Sequence, residues 1–159
     1  MITVAVQGRV IQKFAQYPEN LRAKLRAGIP DITRMVGDRV RAKLAPGVLF
    51  KTTNRLLPAV STEMHESADE IYGRVYIDPD IFPAIVALSL ESGARAHQIV
   101  ARNAKALAFM GPQGTMIFRR SVNHPGFAGR SYMQSTLNES KDEITEKLSA
   151  IVTDAFKES

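Results

Sequence analysis

Cysteine and tryptophan are both absent from this chain of 159 residues. Without cysteine there is no disulfide framework, no thiolate metal or iron–sulfur site and no cysteine nucleophile, and the redox compartment is left open. No run approaches the ~18 apolar residues that a membrane span needs. The opening Met1-Ile2-Thr3-Val4-Ala5-Val6 has neither the basic leader nor the long apolar core of a signal peptide. A soluble, non-secreted protein without a membrane partner is expected. The last scarcity is local: no Asp or Glu occurs between Glu91 and Glu139. That stretch holds Arg95, Arg102, Lys105, Arg119, Arg120 and Arg130, with His97 and His124 besides.

What is present suits one domain over residues 1–159. Hydrophobic residues make up 45% of the chain, too many for a disordered polymer. A domain of this size buries about two-thirds of its unfolded surface and needs no staples. The formal net charge of +5 is unevenly spread. Residues 131–159 carry six acids against three lysines, a net of −3, and residues 1–130 carry eighteen Lys/Arg against ten Asp/Glu, a net of +8. An acid-free basic window suggests a surface meant for something negative, either nucleic acid or an acidic protein partner, with an ordinary solvated face as the plain alternative.

Periodicity then orders the chain. Ile2, Val4 and Val6 alternate as in a half-buried strand, and a helical turn over Val10–Tyr17 follows. Pro18 and Glu19 open a long helix, whose stripe Leu21, Leu25, Ile29, Ile32, Val36, Val40 and Leu44 ends at Ala45-Pro46-Gly47. Pro30 inside it predicts a kink or break near Gly28–Asp31. Arg22, Lys24, Arg26, Arg34, Arg39, Arg41 and Lys43 fill the rest of its surface as a polar face. A short helix at Asn54–Leu57 and two strands, Ala59–Glu66 and Glu70–Ile77, come next, the second packing Tyr72 and Val75 or Tyr76. After the turn Asp78-Pro79-Asp80, residues Ile81 to Leu90 form a short, largely buried helix ending at Gly93.

Residues 97–122 read as a hairpin. Gln98–Ala101 or Ala106–Met110 goes out, Gly111-Pro112-Gln113-Gly114 turns, and Thr115–Val122 returns. The return strand sets Met116, Phe118 and Val122 with Arg120 on one face and Ile117 with Arg119 on the other. Apolar residues on both faces beside adjacent arginines indicate an edge or interface strand. Ser131 or Ser135 caps a last helix running to about Phe156, with the stripe Met133, Leu137, Ile144, Leu148, Ile151, Val152 and Ala155. The fold class is α+β: a mostly antiparallel sheet packed by a long N-terminal helix, kinked near Pro30, and a long C-terminal helix, with a projecting hairpin around 97–122.

Catalytic chemistry finds little footing. There is no Gly-x-Ser-x-Gly elbow and no Gly-rich phosphate loop. His65, His97 and His124 lack metal-ligand spacing. The acid pairs Glu63 with Glu66, Asp69 with Glu70 and Asp78 with Asp80 flank turns, where solvated carboxylates are the default. Arg102-Asn103-Ala104-Lys105 is suited to phosphate contacts, but no helix-turn-helix or single-strand-binding signature accompanies it. No enzyme, metal or cofactor is expected.

Several segments are familiar in combination: Leu44-Ala45-Pro46, Thr53-Asn54-Arg55-Leu56, Ala87-Leu88-Ser89-Leu90-Glu91-Ser92-Gly93 and His124-Pro125-Gly126-Phe127-Ala128-Gly129-Arg130, then a long terminal helix. Over about residues 5–155 this succession resembles the tailed-bacteriophage neck and tail-completion family, small minor tail components acting where head joins tail. Asn54 stands where that family usually has glycine, and Phe82-Pro83-Ala84 near its usual Tyr-Ala pair. The resemblance implies a structural virion protein of the neck, assembled in the host cytoplasm, in a completion, stopper, connector or tail-terminator role. It implies a ring of like subunits, commonly hexameric, stacked against neck, connector and tail proteins, with double-stranded DNA passing through the lumen unread. It brings no catalytic residues.

A ring makes sense of the hairpin and of the opposite signs of the basic middle and the acidic last helix, since unlike surfaces meeting head to tail close a ring. The candidate subunit-interface residues are Arg102, Lys105, Phe109, Phe118, Arg119, Arg120, His124, Phe127 and Arg130. Strong positive charge along a lumen would retard DNA, so Arg102, Lys105, Arg119 and Arg120 are expected to face protein. Phe127 is either an interface anchor or a staple onto the terminal helix. Glu91, near a helix C-terminus, is either a solvated acid or the partner of a buried base. Two other classes stay open: a sequence-nonspecific DNA-binding protein and a metal-dependent nuclease-like enzyme.

Overall fold

The computed structural model describes residues 19–45 and 55–157. The strand expected at residues 2–6, the turn at 10–17, the Pro46-Gly47 stop, and Thr53 and Asn54 lie outside the described residues. Two long helices form the frame: α1, Glu19–Lys43, and α3, Tyr132–Lys157. The apolar stripe of α1 is buried from Leu21 through Val40. The helix passes through Pro30 without the break its sequence suggested. Pro30 lies on the exposed side of the helix, away from the buried stripe.

The helices run antiparallel. Asn20 Nδ2 donates to the Ala155 carbonyl at one end, and Lys43 Nζ donates to Ser135 Oγ at the other. After a 3₁₀ turn at Leu57–Ala59 comes a hairpin, β1 Val60–Glu66 and β2 Ile71–Ile77, in register from Val60↔Ile77 to Glu66↔Ile71. Strand alternation puts Ile71, Gly73 and Val75 on one face. That face meets α1 so closely that Thr33 Oγ1 lies 1.6 Å from where a Gly73 Cβ would stand. Val75 and Ile71 are therefore the packing residues of β2, while Tyr72 and Tyr76 sit half-buried on the opposite face. One apolar cluster joins Val36, Val40, Leu44, Val75, Phe82, Ala87 and Met133; a second joins Leu21, Leu25, Ile29, Ile71 and Ala155.

In the Asp78–Phe82 turn, the Asp78 carbonyl accepts the N–H groups of Ile81 and Phe82. Helix α2 begins only at Ala84 and ends at Ser92. It is not the buried helix its composition suggested. Ala87 alone of the helix is buried, and Ile85, Val86 and Leu88 are exposed, as is Ile81 just before it. Six short strands remain: β3 Gly93–Ala94, β4 His97–Val100, β5 Leu107–Met110, β6 Met116–Arg119, β7 Ser121–His124 and β8 Phe127–Ala128. Among the described residues all pairing is antiparallel and two-stranded, β1 with β2, β3 with β8, β4 with β7 and β5 with β6. The fold is thus α+β, with long N- and C-terminal helices and small antiparallel sheets. No described helix is long and apolar enough to cross a membrane.

Candidate functional site

Strands β4 to β7 form one two-stranded ribbon. Its inner ladder pairs His97↔His124 through Val100↔Ser121, and the Ala101 N–H continues it to the Arg120 carbonyl. Residues 102–106 then bulge from the outgoing strand before the outer ladder, Leu107↔Arg119 through Met110↔Met116. The two outgoing segments weighed from sequence are both strands of the same arm. At the tip the Gly111 N–H bonds the Thr115 carbonyl at 2.8 Å. The ribbon strands pair with each other, and no described helix packs extensively on them.

An uncovered ribbon exposes both faces. Ala108, Met110, Met116 and Phe118 share one face of the outer ladder, with Met110 65%, Met116 53% and Phe118 61% exposed. Leu107, Phe109, Ile117 and Arg119 share the other, where Leu107 and Ile117 are half-buried against one another's strand and Phe109 is exposed. Arg102 and Lys105 stand on the bulge, and Arg119 and Arg120 on the return strand. All four are exposed and none forms an ion pair among the described residues. Seven of the nine candidate interface residues thus lie on the ribbon, His124 at its last inner pair. Phe127 and Arg130 lie just beyond, at its root.

The root is made by glycine. Gly93 and Gly126 have φ of 86° and 79°, a region L side chains rarely adopt. A Cβ at Gly93 would lie 2.5 Å from the Gly129 nitrogen, and one at Gly126 2.4 Å from the Ala94 oxygen. Here β3 and β8 cross, Gly93↔Ala128 and Ala94↔Phe127. The segments 87–93 and 124–130, far apart in sequence, are therefore one structural unit. Above the crossing, His97 and His124 stack at 5.1 Å. His124 Nδ1 accepts the Gly126 N–H, and His97 Nδ1 faces the Arg95 carbonyl at 2.8 Å, so the two rings hold different roles. Phe127 is exposed beside the His124 ring, edge-on at 6.2 Å.

Below the crossing, Glu91 fastens the root to α3. Its carboxylate accepts the N–H groups of Met133 at 3.0 Å and Gln134 at 2.9 Å, and its carbonyl accepts that of Ser131. The partner of Glu91 is therefore neither water alone nor a base but the first amides of a helix, where the macrodipole favours an anion. Glu91 takes the capping role expected of Ser131 or Ser135. Ser131 has φ of 48°, and the Ser135 hydroxyl meets Lys43 instead. Nothing local in the sequence signals a cap supplied from 42 residues away.

The acids of α3 need a second correction. Glu139 pairs with Lys43 at 2.7 Å, and Glu143 pairs with Arg39, which also donates to Ser140 Oγ at 2.9 Å. These two of the six acids after residue 130 thus complement α1 of their own subunit. Arg22 and Arg26 likewise close on Glu66 at 3.0 and 2.5 Å, and first the Arg26 and then the Arg22 hydrogen bond lowers that carboxyl to about 2. Most of the basic face of α1 is thus structural.

A cleft of about 190 Å³ lies between the outer face of the β1–β2 hairpin, α2 and the start of α3, lined by Tyr76, Ile77, Pro79, Leu88 and Met133 among others. Arg74 at its edge pairs with Glu63 at 2.9 Å and stands 4.9 Å over the Tyr76 ring. Tyr132 donates to the Ala87 carbonyl at 3.3 Å, and burial, with the Glu91 charge second, raises its hydroxyl well above the usual tyrosine range. Among the described residues no three His, Asp or Glu side chains converge as metal ligands.

Compared with known proteins, the chain matches no family model, no curated protein and no solved structure.

Proposed function

We propose that this chain is a structural, non-catalytic virion protein that forms a ring at the head–tail junction of a tailed phage, in a completion, stopper or connector role, with tail terminator as the alternative neck role. The ring is hexameric in the family that the sequence resembles, and DNA passes through its lumen without being read. One observation carries the reading: a ribbon from His97 to His124 leaves a closed helix–hairpin body with Met110, Met116 and Phe118 open to water. Large apolar side chains gathered on an arm mark an interaction surface rather than a finished monomer. The glycine crossing and the Glu91 cap hold that arm to the body, as a load-transmitting contact between subunits requires.

The test uses particles assembled without the protein. Filled heads separated from finished tails are expected, and normal joined virions would overturn the proposal. A second reading, sequence-nonspecific DNA binding, is favoured by Arg102, Lys105, Arg119 and Arg120, which lack ion-pair partners among the described residues. It predicts binding to random duplex with a steep log–log salt slope, because each phosphate contact releases a counterion. In the ring reading that slope is shallow, since these side chains face protein.

A further inference from the structure

We infer that the ribbon of one subunit seats on the exposed face of α2 in a second copy of the chain. The inference rests on the ring reading and names the surface that receives the arm. Two apolar patches stand open on different elements: Met110, Met116 and Phe118 on the ribbon, and Ile85 with Leu88 on α2. Ile85 is 70% exposed, and Leu88 is its neighbour one turn on. The ribbon leaves the body at Gly93, directly after α2, and does not pack back on that helix. Neither patch is covered by another element among the described residues.

Charge decides between the possible pairings. Two ribbons laid on each other would bring together Arg119, Arg120, Arg102 and Lys105 of both copies with no acid between them. Helix α3 is a poor receiver, because Glu139 and Glu143 already pair with Lys43 and Arg39. The approach to α2 differs. Asp78 and Asp80 precede it, Asp80 is exposed, and neither forms an ion pair among the described residues. An apolar strip headed by acids complements an apolar strip continued by Arg120 on the same face.

Length and symmetry agree with this. The return strands span residues 116–124, about 30 Å at ~3.3 Å per residue. That is twice the ~15 Å radius of gyration expected for a 159-residue domain, enough to cross to a neighbour. Joining two unlike patches is a heterologous contact, which repeats head to tail and closes into a ring.

The absence of native cysteine makes a clean test. Full-length Ile85→Cys and Phe118→Cys variants, each bearing a different tag, are mixed and oxidised, and the linked species are identified by intact mass beside native mass spectrometry of the unoxidised samples. Both sites are exposed, so folding is expected to survive. Dimers joining the two different tags support the inference. Phe118–Phe118-position dimers would overturn it in favour of ribbon-on-ribbon contact. In the double variant, oxidation is expected to give linked multimers, and a monomer closed by an internal disulfide would overturn it too. Oligomers lacking any 85–118 link would leave the ring reading standing and refute the docking. Monomers alone would refute both. As an independent readout, Arg120→Glu, on the face of Met116 and Phe118, is expected to weaken assembly about tenfold or more, and Asp80→Arg to restore it, while Arg119→Glu on the opposite face is expected to leave assembly unchanged; failure of that rescue contradicts the proposed pairing.

Discussion

Replacing Glu91 by alanine tests the joint between ribbon and body. The substitution removes two hydrogen bonds to amides at the start of α3, from Met133 and Gln134, together with a negative charge at a helix N-terminus. Losing a side-chain cap costs about 0.5–2 kcal/mol. Losing an anion from a partly buried helix start adds about 0.3–1 kcal/mol. The two effects overlap, so the expected loss is about 2 kcal/mol, or about 4–8 °C in Tm for a domain of this size. Glu91→Gln keeps an acceptor oxygen without the charge and is expected to lose about half as much. Chemical denaturation followed by far-UV circular dichroism measures the total, and amide exchange at Met133 and Gln134 locates it. If Glu91→Ala falls within about 0.5 kcal/mol of the parent chain, or exchange at those amides is unchanged, the carboxylate is not the cap.

Three further outcomes follow from other contacts. Gly126→Ala places a Cβ 2.4 Å from the Ala94 oxygen at a φ of 79°, and is expected to cost more than about 1 kcal/mol and abolish assembly while the helices persist; unchanged assembly would show that the crossing tolerates a side chain. The Glu66 carboxyl is held at about 2 in the fold, below its ordinary 4.5, so its stabilisation is complete above the ordinary value and fades as pH falls through that window. The drop in Tm on acidification is accordingly expected to flatten in Glu66→Gln, and an identical acid profile would refute the pairing with Arg22 and Arg26. Arg39→Ala, which removes a half-exposed pair with Glu143, is expected to cost only about 0–1 kcal/mol in thermal melts, and a loss above about 2 kcal/mol would mean the contact is more than a surface bridge.

Local patterns carried much of the fold. The stripe from Leu21 to Val40 has one helical period, so α1 was readable apart from the effect of Pro30, which depends on the side of the helix it occupies. The Ser67-Ala68-Asp69 turn set the hairpin, and Gly111 to Gly114 set the ribbon tip. What stayed hidden was long-range. The apolar content of α2 does not reveal that Ile85 is left uncovered among the described residues. Glu91 looks badly placed at a helix C-terminus until α3 is brought to it. His97 and His124 read as isolated histidines, yet antiparallel pairing stacks them at the ribbon root. The opposite signs of the basic middle and the acidic last helix suggested a contact between subunits, and two of that helix's acids, Glu139 and Glu143, are engaged instead by α1 of the same subunit. For the candidate residues on strands, the exposure of Phe109 and Phe118 was legible because a strand with apolar side chains on both faces cannot bury both in one small subunit.

Electron microscopy of the purified full-length chain tests ring assembly most directly. Closed rings of identical subunits, with the ribbon bridging each boundary, are expected in class averages. Uniform monomers across the micromolar range, with the ribbon free, would contradict the ring and leave DNA binding as the reading to pursue.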